Sequence, residues 1–166
     1  MSDGSIVTFD GGDGGGTGHY TLKWMAFDEK ANNGSRDIHQ IRLGEIYLIL
    51  AEAANELNQP NEAIEALNKL RERAFGDNAH NYASTLSKEE IKKAIVNENK
   101  WELAGEGVRR WYLIHWGYDY LYNAVQALKN ENPQAANNIK PHHILFKIPE
   151  EEFIKNPNLG NNNPGY

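Results

Sequence analysis

Glu102 and Glu106, four residues apart, are the pair in this sequence whose type and spacing come nearest to acid–base machinery. A glycosidase needs two carboxyl groups whose separation sets its stereochemistry. Gly105 breaks the helix between these two, however, and apolar residues flank both. We therefore read them as members of structural ion pairs, and no enzyme activity is expected. The apolar face of Ile91, Ala94 and Ile95, continued by helical steps, lands on Glu98 and Glu102, so at least one carboxylate points inward. A buried carboxylate needs a partner. Arg109 and Arg110, just past the Gly105-Glu106-Gly107 turn, are nearest in sequence, and Arg42, Arg71 and Arg73 are the alternatives. We expect a Glu98–arginine pair that fixes this turn.

A second set of residues could bind rather than react. Trp116, Tyr118, Tyr120 and Tyr122 form a candidate carbohydrate platform, because sugars stack on aromatic rings with polar edges. Tyr118 and Tyr120 are the candidate glycan contacts, joined by Trp24 from the N-terminal part. The competing reading places the tyrosines at core and packing edges, and their spacing by two fits no single helical face. Trp24 lies in an aromatic, partly alternating segment, Thr17–Asp28, read as an extended piece covering the helices that follow.

Other ligand chemistry finds little support. Asp10 and Asp13 lack the remaining ligands of an EF-hand loop, and the glycines around them are not followed by the Gly-Lys-Ser/Thr of a phosphate loop. His142 and His143 are adjacent, and neighbouring histidines rarely converge on one ion. His80 reads as a solvated loop residue. Metal and cofactor are both expected to be none.

Helices must position these groups. Ser87-Lys88-Glu89-Glu90 is a capping box, predicting a helix from Ser87 to about Ala104 that Gly105 and Gly107 terminate. Ile41–Leu57 reads as a helix whose apolar face runs through Leu43, Ile46, Leu50, Ala53, Ala54 and Leu57. Pro60 opens another, apolar through Ala63, Ile64, Ala66, Leu67 and Leu70. Joined by so short a turn, the two lie antiparallel as a TPR-like hairpin, with Ala51, Ala54, Ala63 and Ala66 allowing close approach. A further helix follows Tyr118, then a loop at Asn130–Pro141, a short extended apolar run at Ile144–Pro149 and an Asn-Pro-rich tail. The expected fold is all-α, mainly helical, with loop-rich termini. Residues 1–18, rich in glycine and aspartate, read as flexible, and residues 19–166 as one helical domain.

Three blocks of this sequence resemble the SusD/RagB family. They are Ile41-Arg42-Leu43-Gly44-Glu45-Ile46-Tyr47 with its continuation to Ala53; the pattern Glu98, Glu102-Leu103, Glu106-Gly107, Arg109-Arg110-Trp111, Leu113, Trp116-Gly117; and the ending Asn156-Pro157-Asn158-Leu159 with Asn162-Asn163-Pro164-Gly165-Tyr166. Against the family pattern, Gly44 stands where alanine is usual, Asn99 where arginine is usual, Tyr112-Leu113 where aspartate usually precedes the leucine, and His115 where arginine is common. The resemblance covers only the C-terminal region of proteins several hundred residues long. It implies structural roles for Arg42, Glu45, Glu98, Glu102, Glu106, Arg109 and Trp111, and a strand-like closing segment at Ile144–Pro149 followed by a small helix at Glu150–Ile154. It also implies an outer-membrane, cell-surface lipoprotein, anchored through a lipidated cysteine outside this chain, that captures an oligosaccharide and passes it to a SusC-like TonB-dependent transporter. The alternative is a TPR-like protein–protein interaction module without sugar binding.

Composition bounds these readings. A net charge of −6 and a pI near 5.5 argue against nucleic acid as a partner. The absence of cysteine removes disulfides and thiolate chemistry. No apolar run approaches the length of a membrane span, so the chain itself is expected to be soluble.

Overall fold

The computed structural model describes residues 40–166. The segment 1–18, Asp10, Asp13 and Trp24 lie outside the described residues. The described residues fall into two compact units, one up to Gly105 and one from Glu106 to Tyr166, and each is taken by itself. The described residues are helical and contain no strand.

In the first unit, α1 (Leu43–Glu56) and α2 (Pro60–Phe75) form the hairpin and α3 (Lys88–Glu102) packs on both. Pro60 sits in the first turn of α2, where its missing N–H costs nothing. Asn58 takes the left-handed conformation (φ 57°) that lets the connection turn tightly. The predicted alanine seam is present: Ala51, Ala54, Ala63 and Ala66 are all buried, with Leu48, Ile64, Leu67 and Leu70 around them. Ile91, Ala94 and Ile95 complete the core from α3. That helix starts at the predicted capping box, Ser87 accepting from the Glu90 N–H while the Glu90 carboxylate accepts from the Ser87 N–H at 2.8 Å. The Ser87 hydroxyl, donating to the Glu90 carboxylate at 2.7 Å, and then the Ser87 N–H hold that carboxyl below the usual carboxylate range.

The inward face of α1 is not the one its periodicity suggests. Gly44, Leu48, Ala51, Ala54 and Asn55 face the core, while Leu43 (66% exposed), Ile46, Leu50 and Leu57 (69%) are at the surface. The helix is apolar nearly all round, so hydrophobicity does not choose a side. The small residues do, because α2 can approach only there. Asn55, buried at the end of this face, donates to the Lys88 carbonyl at 3.2 Å and so ties α1 to the start of α3.

The second unit holds α4 (Arg109–Trp116), α5 (Tyr118–Gln126), α6 (Pro133–Asn138) and α7 (Glu150–Lys155), with 3₁₀ turns at Pro141–Ile144 and Pro157–Leu159. Its buried residues are Leu113, Leu121 and Ala136. α6 occupies the expected loop at Asn130–Pro141; Asn132 caps it by accepting from the Ala135 N–H at 3.0 Å, and Pro133 starts it. Gly117 (φ 112°) ends α4 and begins α5, a backbone conformation that side chains resist.

The expected strand-like run is not a strand. Its backbone groups are taken by side chains of the tail: Asn162 accepts from the Ile148 N–H (2.9 Å) and donates to the Ile148 carbonyl (3.0 Å), Asn163 donates to the Phe146 carbonyl (2.7 Å), and the Tyr166 hydroxyl donates to the Leu145 carbonyl (2.9 Å). An asparagine amide carries the same donor and acceptor as a peptide unit, so it completes the pairing that a neighbouring strand would otherwise supply.

Candidate functional site

The first unit builds an arginine–carboxylate network on the ends of its helices. Glu98 and Glu102, one helical turn apart on α3, are both buried. Glu98 Oε1 accepts from Arg71 Nη1 at 2.5 Å and from the Tyr82 hydroxyl at 2.8 Å. Glu102 accepts from Arg42 through one oxygen and from Arg73, at 2.5 Å, through the other; Arg42 also donates to the Glu102 carbonyl. Each is a charge-assisted bond that offsets the loss of water around the carboxylate. The partner of Glu98 therefore comes from α2, not from Arg109 or Arg110, its nearest arginines in sequence. Helix packing places α2 beside α3, and chain proximity beyond the turn does not decide the pairing.

Arg71 organises the loop between α2 and α3. Its Nε donates to the His80 carbonyl, and its guanidinium lies 4.6 Å from the Tyr82 ring centroid and 5.1 Å from that of Phe75. The His80 ring stacks on Phe75 at 4.1 Å, so this exposed histidine has a packing role. Asn68 accepts from the Tyr82 N–H at 2.8 Å and donates to its carbonyl at 3.2 Å, the same backbone mimicry that Asn162 performs in the tail. Burial, with the Glu98 carboxylate adding to it by hydrogen bond and charge, pushes the Tyr82 phenol up to about 12. The sequence drew no attention to Tyr82 or Asn68; their role depends on how the loop folds back onto the helices.

Gly44 has a direct part in the network. A Cβ at this position would overlap Glu102 Oε1 and Arg42 Nη1. Gly44 thus leaves room for the Arg42–Glu102 ion pair. Glu45 lies half-buried in the first turn of α1, and Asn99 is fully buried in α3.

In the second unit the aromatic residues form two helical ladders. Tyr112, Trp116 and Tyr120, spaced four apart across the α4–α5 junction, have consecutive ring centroids 5.7 Å apart. The Arg109 guanidinium lies 5.7 Å from the Trp116 ring, and desolvation lowers its pKa. Tyr118 and Tyr122 form the other ladder, 5.8 Å apart, with the Tyr118 hydroxyl 3.5 Å from the Ile139 carbonyl. Tyr118 and Tyr120 therefore belong to different ladders, as their spacing by two requires. Tyr112, which sequence reasoning passed over as a candidate contact, joins Trp116 and Tyr120; the signal was its spacing of four from the tryptophan.

Trp111 is exposed and packs against Phe146 at 5.9 Å, while Arg110 lies over the same Phe146 ring and donates to the His143 carbonyl at 2.9 Å. Glu106 sits half-buried in the turn before α4. His142 and His143 pack edge to face at 4.3 Å, and Tyr166 lies against His142 at 4.8 Å. His143 Nδ1 accepts from the Lys140 N–H at 3.0 Å; desolvation, helped by His142, Lys140 and Arg110, lowers its pKa. Among the described residues no three His, Asp or Glu side chains converge as a metal site, and no helix is long and apolar enough to cross a membrane.

A helical hairpin closed by a buried arginine–carboxylate network, together with half-buried aromatic ladders, defines a helical binding or scaffold module. Comparison with known proteins gives the family. The model of the SusD family matches residues 10–166, and the chain belongs to that family. It is 42% identical over 118 residues to SusD-like protein P25 of Formosa agariphila, covering 71% of this chain and 22% of that protein. It is 36% identical over 143 residues to SusD-like protein P2 of the same organism, covering 81% of this chain and 28% of the relative. The solved structure of a SusD homolog from Bacteroides thetaiotaomicron superposes with a TM-score of 0.67 at 29% identity, over 76% of this chain and 26% of that one. The chain thus spans between a fifth and a third of the length of these relatives. The family is one of carbohydrate-binding proteins, not enzymes.

Proposed function

We propose that this chain forms part of a cell-surface protein that captures an oligosaccharide and delivers it to a SusC-like TonB-dependent transporter in the outer membrane, the whole protein being held there by a lipid anchor. Membership of the SusD family over nearly the whole chain is the observation that carries this reading. Within the chain, the ladder of Tyr112, Trp116 and Tyr120 is the surface best suited to a sugar, since half-buried aromatics offer a fixed apolar face with polar rims. Tyr118 supplies a hydroxyl edge from the neighbouring ladder.

The test is a glycan array followed by calorimetry on the strongest binder, comparing the parent with a Tyr118→Ala, Tyr120→Ala variant. Saturable binding that the variant loses supports the platform. A folded parent that binds no glycan overturns a saccharide site in this chain.

A second reading, a helical interaction module, is favoured by one observation. α1 turns Leu43, Ile46, Ile49 and Leu50 to the surface, more apolar side chain than an isolated helix face normally shows.

A further inference from the structure

Between the end of α2 and α3 lies a cavity of about 420 Å³, within the size range of small-molecule sites. Arg73, Phe75 and Trp101 line it, together with the Arg71–Glu98 and Arg42–Glu102 pairs. Its charged lining holds three arginines against two glutamates, leaving one positive charge in excess.

Most of these groups are already committed. Arg71 is held by Glu98 and the His80 carbonyl, Arg42 by Glu102, and the Phe75 ring by His80 and Arg71. Two groups differ. Arg73 gives Nη2 to Glu102 Oε2 while its side chain remains 60% exposed, so the rest of its donor fork is open to a ligand. Trp101 is 56% exposed and makes no ring or cation contact among the described residues. An uncovered tryptophan lining the same cavity as an arginine that a buried carboxylate holds in place is a preorganised pair: a flat apolar surface and a fixed N–H donor for an anion.

We propose that this cavity is a second saccharide site, taking a sugar unit that carries a carboxylate. The C–H face of the sugar ring lies on Trp101, and its carboxylate accepts from Arg73. The Glu102 contact fixes the guanidinium and orients its remaining N–H groups. The ligand class rests on the saccharide reading given above; the location and the preference for an acidic sugar come from the cavity. An acidic peptide would satisfy Arg73 but offers no comparable ring face to Trp101.

Calorimetry on the whole chain with trigalacturonate, maltotriose and a triglutamate peptide tests this. Trigalacturonate is expected to bind, more weakly as salt is raised, and to outbind the other two. Arg73→Gln and Trp101→Ala are each expected to weaken it about tenfold or more, the loss of one charge-assisted bond or one stacked ring. Trp101 is exposed, so its variant keeps the parent's helical circular dichroism, and binding that is equal in Trp101→Ala overturns the site. Equal affinity for maltotriose, tighter binding of triglutamate, or no binding of trigalacturonate overturns it as well. If trigalacturonate fails while a neutral glycan is captured and then lost on Tyr118→Ala, Tyr120→Ala, the acidic site falls and the saccharide reading stands.

Discussion

Arg71 on α2 and Glu98 on α3 meet at 2.5 Å, joining two helices that are separated in sequence by a loop. Glu98 is buried, so water cannot replace the arginine. Removing one member of such a pair leaves the other charge uncompensated, at roughly 3–5 kcal/mol. Glu98→Gln is therefore expected to lower the melting temperature strongly. An unchanged melting curve by circular dichroism would show that the pair is incidental.

Gly44 leaves the space in which Arg42 and Glu102 meet. Gly44→Ala forces the two side-chain ends apart, a cost that the roughly 1 kcal/mol gained by replacing a helical glycine partly offsets. The cost should shrink when Arg42 has already been replaced by Met, because Glu102 can then turn fully toward Arg73. A double-mutant cycle measures this, and strict additivity would refute it.

The raised phenol of Tyr82 gives a signed pH dependence. Its folded pKa of about 12 exceeds the ordinary 10.0, so its contribution to stability is complete below pH 10 and disappears as pH rises toward 12. Denaturant midpoints measured across that window should fall less steeply in Tyr82→Phe than in the parent. Identical alkaline profiles would remove Tyr82 from the account.

In the tail, Asn162 stands in for a strand backbone at Ile148. Asn162→Asp keeps the acceptor for the Ile148 N–H and loses the donor, whereas Asn162→Ala loses both. Hydrogen exchange at the Ile148 amide should be fastest in the alanine variant and intermediate or parent-like in the aspartate variant. Equal exchange in all three would mean that the tail bonds do not protect this run.

What could be read in advance follows from the range over which each signal acts. The capping box at Ser87, Pro60 at the head of α2 and the alanine seam are local or periodic, and each is where the sequence puts it. The inward face of α1 does not follow from periodicity, because Leu43, Ile46 and Leu50 are as apolar as the residues that do turn inward. Arg71 could not be singled out as the partner of Glu98, since five arginines competed and only the packing of α2 on α3 chooses among them. The run at Ile144–Pro149 is apolar and extended, and the family resemblance implied a strand-like segment there, but its partners are side chains of Asn162, Asn163 and Tyr166. Of the candidate glycan residues, the spacing of Tyr118 and Tyr120 already separated them onto different helical faces, while the alignment of Tyr112, Trp116 and Tyr120 required Gly117 to carry the ladder from α4 into α5.

The central claim is that a saccharide rests on that ladder. Chemical-shift mapping of the aromatic side chains, with the strongest binder from the glycan array as titrant, tests it most directly. The account predicts saturable shifts at Tyr112, Trp116 and Tyr120 that report one common dissociation constant. Saturable binding that leaves these three rings unmoved would contradict it.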